Sequence, residues 1–533
     1  MSAHAVATLP RVITGEIGGS PLALAAQRNQ LPQWFTPRPR APNDWKSYLG
    51  GVAASHGAGV WRERLADAVS ASGTARARLD RVAKSGGVVV STGQQAALFG
   101  GPLYTLVKAI AALGVADALE QATGIATVPV FWAATDDADY EEARWATVAL
   151  LVGTRTLRLP DAEAAGVAMS MMPMPGVEGL VDELAAACGS VADSTPLDVV
   201  RQSYTSRVTL GSAYVSQLRA LLEPLGIAVL DGSHPAVRRS AEPLIGRALD
   251  DASTVEQALR SRYEAIRADG YTPQVEHLPA LSLVFVTDAN GEKRRVPTHE
   301  ATEVRRRQPI ETLSPNVLLR PLVERTIMPS AAYIAGPGEL AYFAQVSAAA
   351  AALDVPAPLA LPRWSATILE PRVQRILSRL GVSLDELRDR HAAESRLAHA
   401  ALPDDVAESL AQMRRNIESD VAALEVADRD NIVPSASLQG LRRALLNRLE
   451  RAERRYVAGV KRREAELMRD IGTAAAALYP EGTRQERVLN FVPFITRYGV
   501  PLLEEMRAEA IQYAKALTGA VTPSASAQVA ERV

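Results

Sequence analysis

Four short polar stretches carry the residue types that could do chemistry in this chain. The first is Thr92-Gly93-Gln94-Gln95, followed by Gly100-Gly101 and Tyr104. Glycines let a backbone approach a ligand closely or turn through positive φ. A glutamine carboxamide offers donors and an acceptor without charge, which suits a nucleotide or a polar, amide-forming substrate. The plainer alternative is a glycine turn whose glutamines satisfy local backbone. The second stretch is Thr135-Asp136-Asp137-Ala138-Asp139-Tyr140-Glu141-Glu142. Carboxylates here can bind an ammonium group, hold Mg²⁺ through water or act as a general base. Asp139, Glu141 and Glu142 suit an acidic helix start stabilised by the macrodipole. Asp136 and Asp137, nearest the preceding apolar run, are the functional candidates.

The third stretch, Gly336-Pro337-Gly338-Glu339-Leu340-Ala341, formally matches the dinucleotide fingerprint G-x-G-x-x-A. Its proline removes an amide donor, so the fingerprint is rejected. An anion- or nucleotide-facing turn remains, with Glu339 placed to meet an amine. The fourth, Asp231-Gly232-Ser233-His234, puts a histidine after an apolar run, either as base or phosphate donor or as a local cap. Asn316 and Arg320 stand in the apolar segment "SPNVLLRPLVERTIMPSAAY". An arginine there needs a carboxylate or phosphate partner, or forms a structural salt bridge. The seven histidines are scattered, and no paired-His spacing, nucleophile elbow or Walker A loop occurs. No transition-metal site in the protein is expected.

Each stretch follows or precedes a predicted element. "GVVVST" (87–92) reads as a buried strand ending in a glycine loop, and Pro102 suits the first turn of the next helix. Leu103, Leu106, Val107, Ile110, Leu113 and Ala116 give that helix one apolar face. "ATVPVFWAATDD" (126–137) is a second strand, so strand, helix and strand make a parallel βαβ unit. "GIAVLDGSHP" (226–235), "SAAYIAGPGELAYFAQVSAAAAAL" (330–353) and "APLALP" (357–362) repeat the pattern, the last as the final strand. "LSLVFVTDANGEKRRVPT" (281–298) is a hairpin turning at Asn-Gly. Ligands gather at the strand ends of such sheets.

Residues 1–45 are rich in proline and read as an extended arm, and 61–84 are helical by period. The Met-rich region at about 145–225 reads as an insertion. From 371 the pattern changes. Val406, Leu410, Met413, Ile417, Val421 and Leu424 form one stripe, and Leu438, Leu441, Leu445, Ala452 and Tyr456 another, across the polar loop "DRDNIVPSAS". This predicts an antiparallel helical hairpin with coiled-coil packing. Residues 438–470 carry ten Lys/Arg against five Asp/Glu, a solvated face or a basic groove. The expected organisation is an N-terminal arm with helices (1–85), an α/β core (86–370), a helical domain (371–480) and a closing segment packed on the core (481–533).

The 533 residues exceed one hydrophobic core. A net charge of −2 gives no reason to expect nucleic acid or an anionic membrane as partner. Cys188 is the sole cysteine, which excludes an internal disulfide and a Cys-based metal site and points to the cytoplasm. No basic-then-apolar leader and no membrane-length apolar run is read.

The blocks "STGQQAALFGGPLYTLVKAI", "VPVFWAATDDADYEEA", "SPNVLLRPLVERTIMPSAAYIAGPGELAYFAQ" and "RQERVLNFVPFITRYG" together resemble the bacillithiol synthases, the cysteine ligases of bacillithiol biosynthesis. The resemblance runs in order from about residue 88 to 500. It implies a Rossmann-like parallel-sheet core related to class I synthetases and nucleotidyltransferases, with helical insertions and a C-terminal antiparallel coiled-coil arm that makes a homodimer. It implies that L-cysteine is joined through its carboxyl group to the amine of glucosaminyl-malate, with ATP and Mg²⁺ as the natural source of activation. On that footing Asp136 and Asp137 bind the amine or serve as base. Thr92, Gly93, Gln94, Gln95, Gly101, Tyr104, Ser233, His234, Asn316, Arg320, Tyr333, Gly336, Gly338 and Glu339 face substrate or nucleotide. The family's acidic block reads Glu-Asp-His-Asp, whereas this chain has Asp136-Asp137-Ala138-Asp139 and no imidazole there. The class I His-x-Gly-His signature is also missing. A non-catalytic nucleotide- or sugar-binding scaffold and a nucleotidyltransferase acting on a small sugar or acid are the alternatives.

Overall fold

The computed structural model describes residues 9–57, 59–150, 153–161, 166–430 and 432–519. Residues 1–8 of the predicted arm and the end of the closing segment lie outside these. The chain divides into two compact units. One runs to Val148 and adds Arg155–Leu369 and the chain from Gln485. The other comprises Ala149–Thr154 and Glu370–Arg484.

The larger unit is built on a five-stranded parallel sheet. Its elements, in chain order, are β1 (Val88–Gln95), α1 (Leu103–Thr123), β2 (Thr127–Ala134), β3 (Ala228–Asp231), α2 (Pro235–Asp250), β4 (Leu281–Thr287), β5 (Lys293–Pro297), β6 (Ser330–Ala335), α3 (Pro337–Ala352) and β7 (Ala360–Pro362). The sheet order is β7-β6-β1-β2-β3, all parallel. The order reverses direction between β1 and β6, which makes a topological switch point there. β1 and β2 are buried along almost their whole length, as parallel strands covered on both faces must be. β4 and β5 form the predicted antiparallel hairpin, and Leu313–Pro315 adds a third strand on β4.

Several expectations are corrected. Thr92-Gly93-Gln94-Gln95 is not a loop but the end of β1, paired with Phe131 to Ala134 of β2. Polar residues at a strand's carboxyl end look like loop in sequence, yet their backbone still pairs. The turn begins after them, with Phe99, Gly100 and Gly101 all at positive φ. A side chain at Gly100 would strike the Phe491 ring at 2.6 Å. α1 is not one-faced: it is buried on all sides, because the closing helix Val492–Leu517 covers the face turned away from the sheet. The expected extended arm is folded over its described length. Arg11–Thr14 pairs with Ala366–Leu369, which is a strand beyond the one taken as last, and Leu22, Trp34 and Trp45 are buried. The helical period over 61–84 is split into Val60–Arg64 and Gly73–Ser85. Ser72 ends the break, with its N–H and hydroxyl donating to Glu223 at 2.9 and 2.6 Å. In the region 145–225 the helix Leu210–Leu222 packs on β3 and carries the crossover from β2.

The smaller unit is helical. α4 (Asp404–Ala427) and α5 (Ser435–Arg463) form the predicted hairpin. Its buried apolar residues are Val421, Leu449 and Val460, the last packed with Ala398 and Leu402, and the predicted α5 stripe had missed Leu449 and Val460. Met413, Leu424, Leu441 and Tyr456 instead stand 43–54% exposed. Among the described residues no helix is long and apolar enough to cross a membrane.

Candidate active site

A cavity of about 740 Å³ opens at the carboxyl end of the sheet, at the switch point. β1 contributes Gly93, Gln94 and Gln95, the turn before α3 contributes Gly336 and Gly338, and α1 contributes Tyr104 and Lys108. Gly93 is required there by its neighbours. A Cβ would lie 2.9 Å from the Trp132 carbonyl oxygen and 3.5 Å from an Arg320 guanidinium nitrogen.

The floor is a buried charge network. Lys108, 2% exposed, donates to the Gly93 carbonyl at 2.5 Å, to Glu339 Oε2 at 2.7 Å and to Gln94 Oε1 at 3.4 Å. Glu339 also accepts from the Tyr333 hydroxyl at 2.5 Å and the Gly336 N–H at 2.7 Å. Burial alone would raise the Glu339 carboxyl, but Lys108 and these hydrogen bonds hold it below its ordinary value. Arg320 pairs with Glu324 and donates to the hydroxyls of Tyr333 and Tyr342 at 3.2 and 3.3 Å. So Arg320 has the carboxylate partner its apolar segment demanded.

The acidic stretch folds as one wall. Asp136 accepts from Arg238 at 3.0 Å, and Lys293 lies 3.9 Å from the same oxygen while donating to the Asp136 carbonyl at 2.6 Å. Burial opposes ionisation of Asp136, and Arg238 and Lys293 outweigh it, so its pKa is lowered. A carboxylate so engaged is a poor base and has little left for an amine; it instead pins the β4–β5 hairpin beside the cavity. These partners favour a structural role over the expected one of amine binder or base. Asp137 accepts from Gln95 Nε2 at 3.1 Å and from the Asp139 N–H at 2.8 Å. Asp139 caps the short helix Tyr140–Ala143 through the Glu142 N–H, as its helix-start reading had it. Glu142 lines the cavity. Its pKa is raised by burial, then by Asp139 and Asp137. Ala138 lines the cavity where an imidazole was expected.

Of the other expected residues, all but Asn316 stand outside the cavity. Thr92 is buried and donates to the Ile334 carbonyl at 2.9 Å, stitching β1 to β6. The Gly101 carbonyl accepts from Asn490 at 2.9 Å. Ser233 donates to Asp231 at 3.0 Å, and His234 caps α2 by accepting the Ala236 N–H at 3.1 Å. The capping role for His234 therefore prevails over that of base. Tyr333 lies beneath the floor. Asn316 lines the cavity, and its side-chain oxygen accepts the N–H groups of Leu318 and Leu319 at 3.1 and 3.0 Å.

Lys108, Lys293, Arg363 and Arg487, and Glu142 as more than a helix start, join the cavity without having been expected there. Lys108 had a signal, as the lone charge in the apolar run "LYTLVKAIAAL". Arg487 is delivered by the closing segment. Glu486 takes two hydrogen bonds from Arg363, at 2.9 and 2.6 Å, and Asn490 donates to the carbonyls of Phe99 and Gly101, each at 2.9 Å. Arg487, held between those anchors, is exposed at the cavity mouth and has no ion-pair partner among the described residues. Among those residues no group of three or more His, Cys, Asp or Glu is placed to hold a metal ion.

Comparison with known proteins agrees with this architecture. Residues 24–364 match the family described as "Bacillithiol biosynthesis BshC, N-terminal Rossmann-like domain". Residues 366–516 match "Bacillithiol biosynthesis BshC, C-terminal coiled-coil domain". A protein of Solibacter usitatus named "Putative cysteine ligase BshC" is 30% identical, covering 80% of this chain and 82% of the relative. One of the same name from Koribacter versatilis is 30% identical over 89% and 92%. Another from Heliobacterium modesticaldum is 28% identical over 96% and 94%. The two matched domains and the nearly full-length relatives place the chain in the BshC family of bacillithiol biosynthesis.

Proposed function

We propose that this chain is a cysteine ligase, joining the carboxyl group of L-cysteine to the free amine of glucosaminyl-malate to give bacillithiol. One observation carries the reading: a single cavity at the switch point has walls of opposite charge. Asp137 and Glu142 suit the ammonium form of the amine. Lys293, Arg320 and Arg487 suit the malyl carboxylates and a phosphate. Glu142 takes the proton that the amine must lose before it attacks, the role left open by Ala138. The wall of Gln95 and Asp137 orients that amine.

ATP with Mg²⁺ is the proposed source of activation. It would turn the cysteine carboxyl into a mixed anhydride whose leaving group is better than hydroxide. The first turn of α3 does not suit its phosphates, because Pro337 lacks an N–H and the Glu339 carboxylate already takes that of Gly336. The cavity cations fit them better. The buried, unpaired Cys188 suits a reducing, cytoplasmic setting. The test is product formation by purified protein from cysteine, glucosaminyl-malate and Mg-ATP, with nucleotide consumption that stops when cysteine is left out. Pyrophosphate released without cysteine would favour a nucleotidyltransferase, and binding without turnover a scaffold.

The coiled-coil hairpin is proposed to pair two copies of the chain. Met413 and Leu441, 54% and 43% exposed, are better placed for this than Leu410 and Ile417, which are partly covered within the unit. The Met413→Asp, Leu441→Asp variant is expected to sediment as a monomer where the parent sediments as a dimer; equal masses would contradict it.

A further inference from the structure

An ammonium group has three donors and no acceptor, so the groups around it must turn their oxygens inward. The three acceptors of Lys108 are the Gly93 carbonyl, Glu339 Oε2 and Gln94 Oε1. The last of these fixes which end of the Gln94 carboxamide faces which way. Its oxygen is turned to the buried lysine, and its NH₂ group is turned to Tyr104, 3.2 Å from the hydroxyl, on the cavity side. One hydrogen of that NH₂ serves Tyr104, and the other is free for a ligand oxygen.

We propose that Lys108 is a positioning residue that sets the Gln94 carboxamide so that its NH₂ donates to the acyl oxygen of the activated substrate. The inference rests on the ligase reading above. The amine nitrogen attacks the acyl carbon, forming the C–N bond and shifting the carbonyl electron pair onto oxygen, where Gln94 donates. The pair then returns, the bond to the activating phosphoryl oxygen breaks with its electrons, and the amine proton leaves on a cavity carboxylate. A donor aimed at developing charge in a dry site acts mainly on the transition state. Gln94 would be the group that touches substrate. Lys108, which lies beneath it, would act only through it.

Three variants test this. Gln94→Glu keeps an oxygen for Lys108 but replaces the donor, and kcat is expected to fall by about 10²-fold at little change in KM for the amine. Lys108→Met strands the Glu339 carboxylate and is expected to lower both stability and kcat. Lys108→Met combined with Glu339→Gln removes the stranded charge, so melting temperature should recover while kcat stays low. Recovery of kcat in the double variant, or wild-type kcat in Gln94→Glu, would overturn the proposal and leave Lys108 merely structural. If the wild-type protein makes no amide, the ligase reading fails first. Amide hydrogen exchange over residues 93–95 then decides the positioning role by itself. Faster exchange in the double variant at matched melting temperature supports it, and unchanged exchange overturns it.

Discussion

Glu142→Gln is expected to lower turnover by about 10²- to 10⁴-fold, the usual range for losing a positioned general base. The groups facing Glu142 explain why it suits that role. Burial raises its carboxyl, Asp139 and Asp137 raise it further, and Arg487 and a hydrogen bond from Gln95 oppose them. A base must be deprotonated, so activity should climb with pH through a value raised above that of a free glutamate and then level off. Glu142→Gln should remove that limb as well as lower the plateau. The stability effect has the opposite sign. A carboxyl whose folded pKa exceeds its unfolded one adds stability at low pH, and this is lost as pH rises through the folded value. Above the folded pKa the ionised Glu142 is therefore a small liability, and there the variant should melt no lower than the parent. A pH–rate profile and a melting curve on the same preparation check both halves. Loss of activity with loss of stability would point to a structural role instead.

Arg363→Met is expected to destabilise the protein by about 3–5 kcal/mol, the usual consequence of stranding one member of a buried ion pair. Arg363 and Glu486 are 3% and 2% exposed. Glu486 also accepts from the Ser365 hydroxyl at 3.0 Å and the Ala366 N–H at 3.3 Å. These cannot neutralise it once Arg363 is gone. Arg363→Met with Glu486→Gln should recover most of the loss, because no charge is then left without a partner. The pair also fixes the segment that carries Arg487, so the single variant should bind anionic substrate more weakly even below its melting transition. Denaturant unfolding of the single and double variants measures the first effect, and calorimetry the second. A single variant within 1 kcal/mol of the parent, on the scale of an exposed pair, would contradict the anchoring role.

The order of strands and helices was legible because β1, β2, β3 and β6 are short apolar runs bounded by glycine and polar residues. That order also located the crevice, since the strand ends are where the sheet opens. The partners of each side chain were not legible. Lys108 meets Glu339 across 231 positions, and Arg363 meets Glu486 across 123. No local pattern records such pairs. Asp136 looked catalytic because it follows a strand, yet Arg238 and Lys293, on α2 and β5, decide its state. Glu142 looked like a helix start because spacing cannot tell which carboxylate a cavity will bury. The proline-rich arm misled for a related reason. Proline marks turns and helix starts as readily as extended chain, and only the pocket that receives Trp45 tells which. On α5 the burial of Leu449 and Val460 is set by the neighbouring helices, and an apolar period alone picked Leu441 and Tyr456 instead.

On the proposed function, this cavity makes an amide from the carboxyl group of cysteine after ATP has activated it. Cysteine labelled with ¹⁸O on both carboxyl oxygens, supplied with glucosaminyl-malate and Mg-ATP, tests it directly. The expected result is a thiol product retaining one ¹⁸O, with the other recovered in the released phosphate or AMP. No amide product, or an amide product formed with no label in phosphate or AMP, would contradict it.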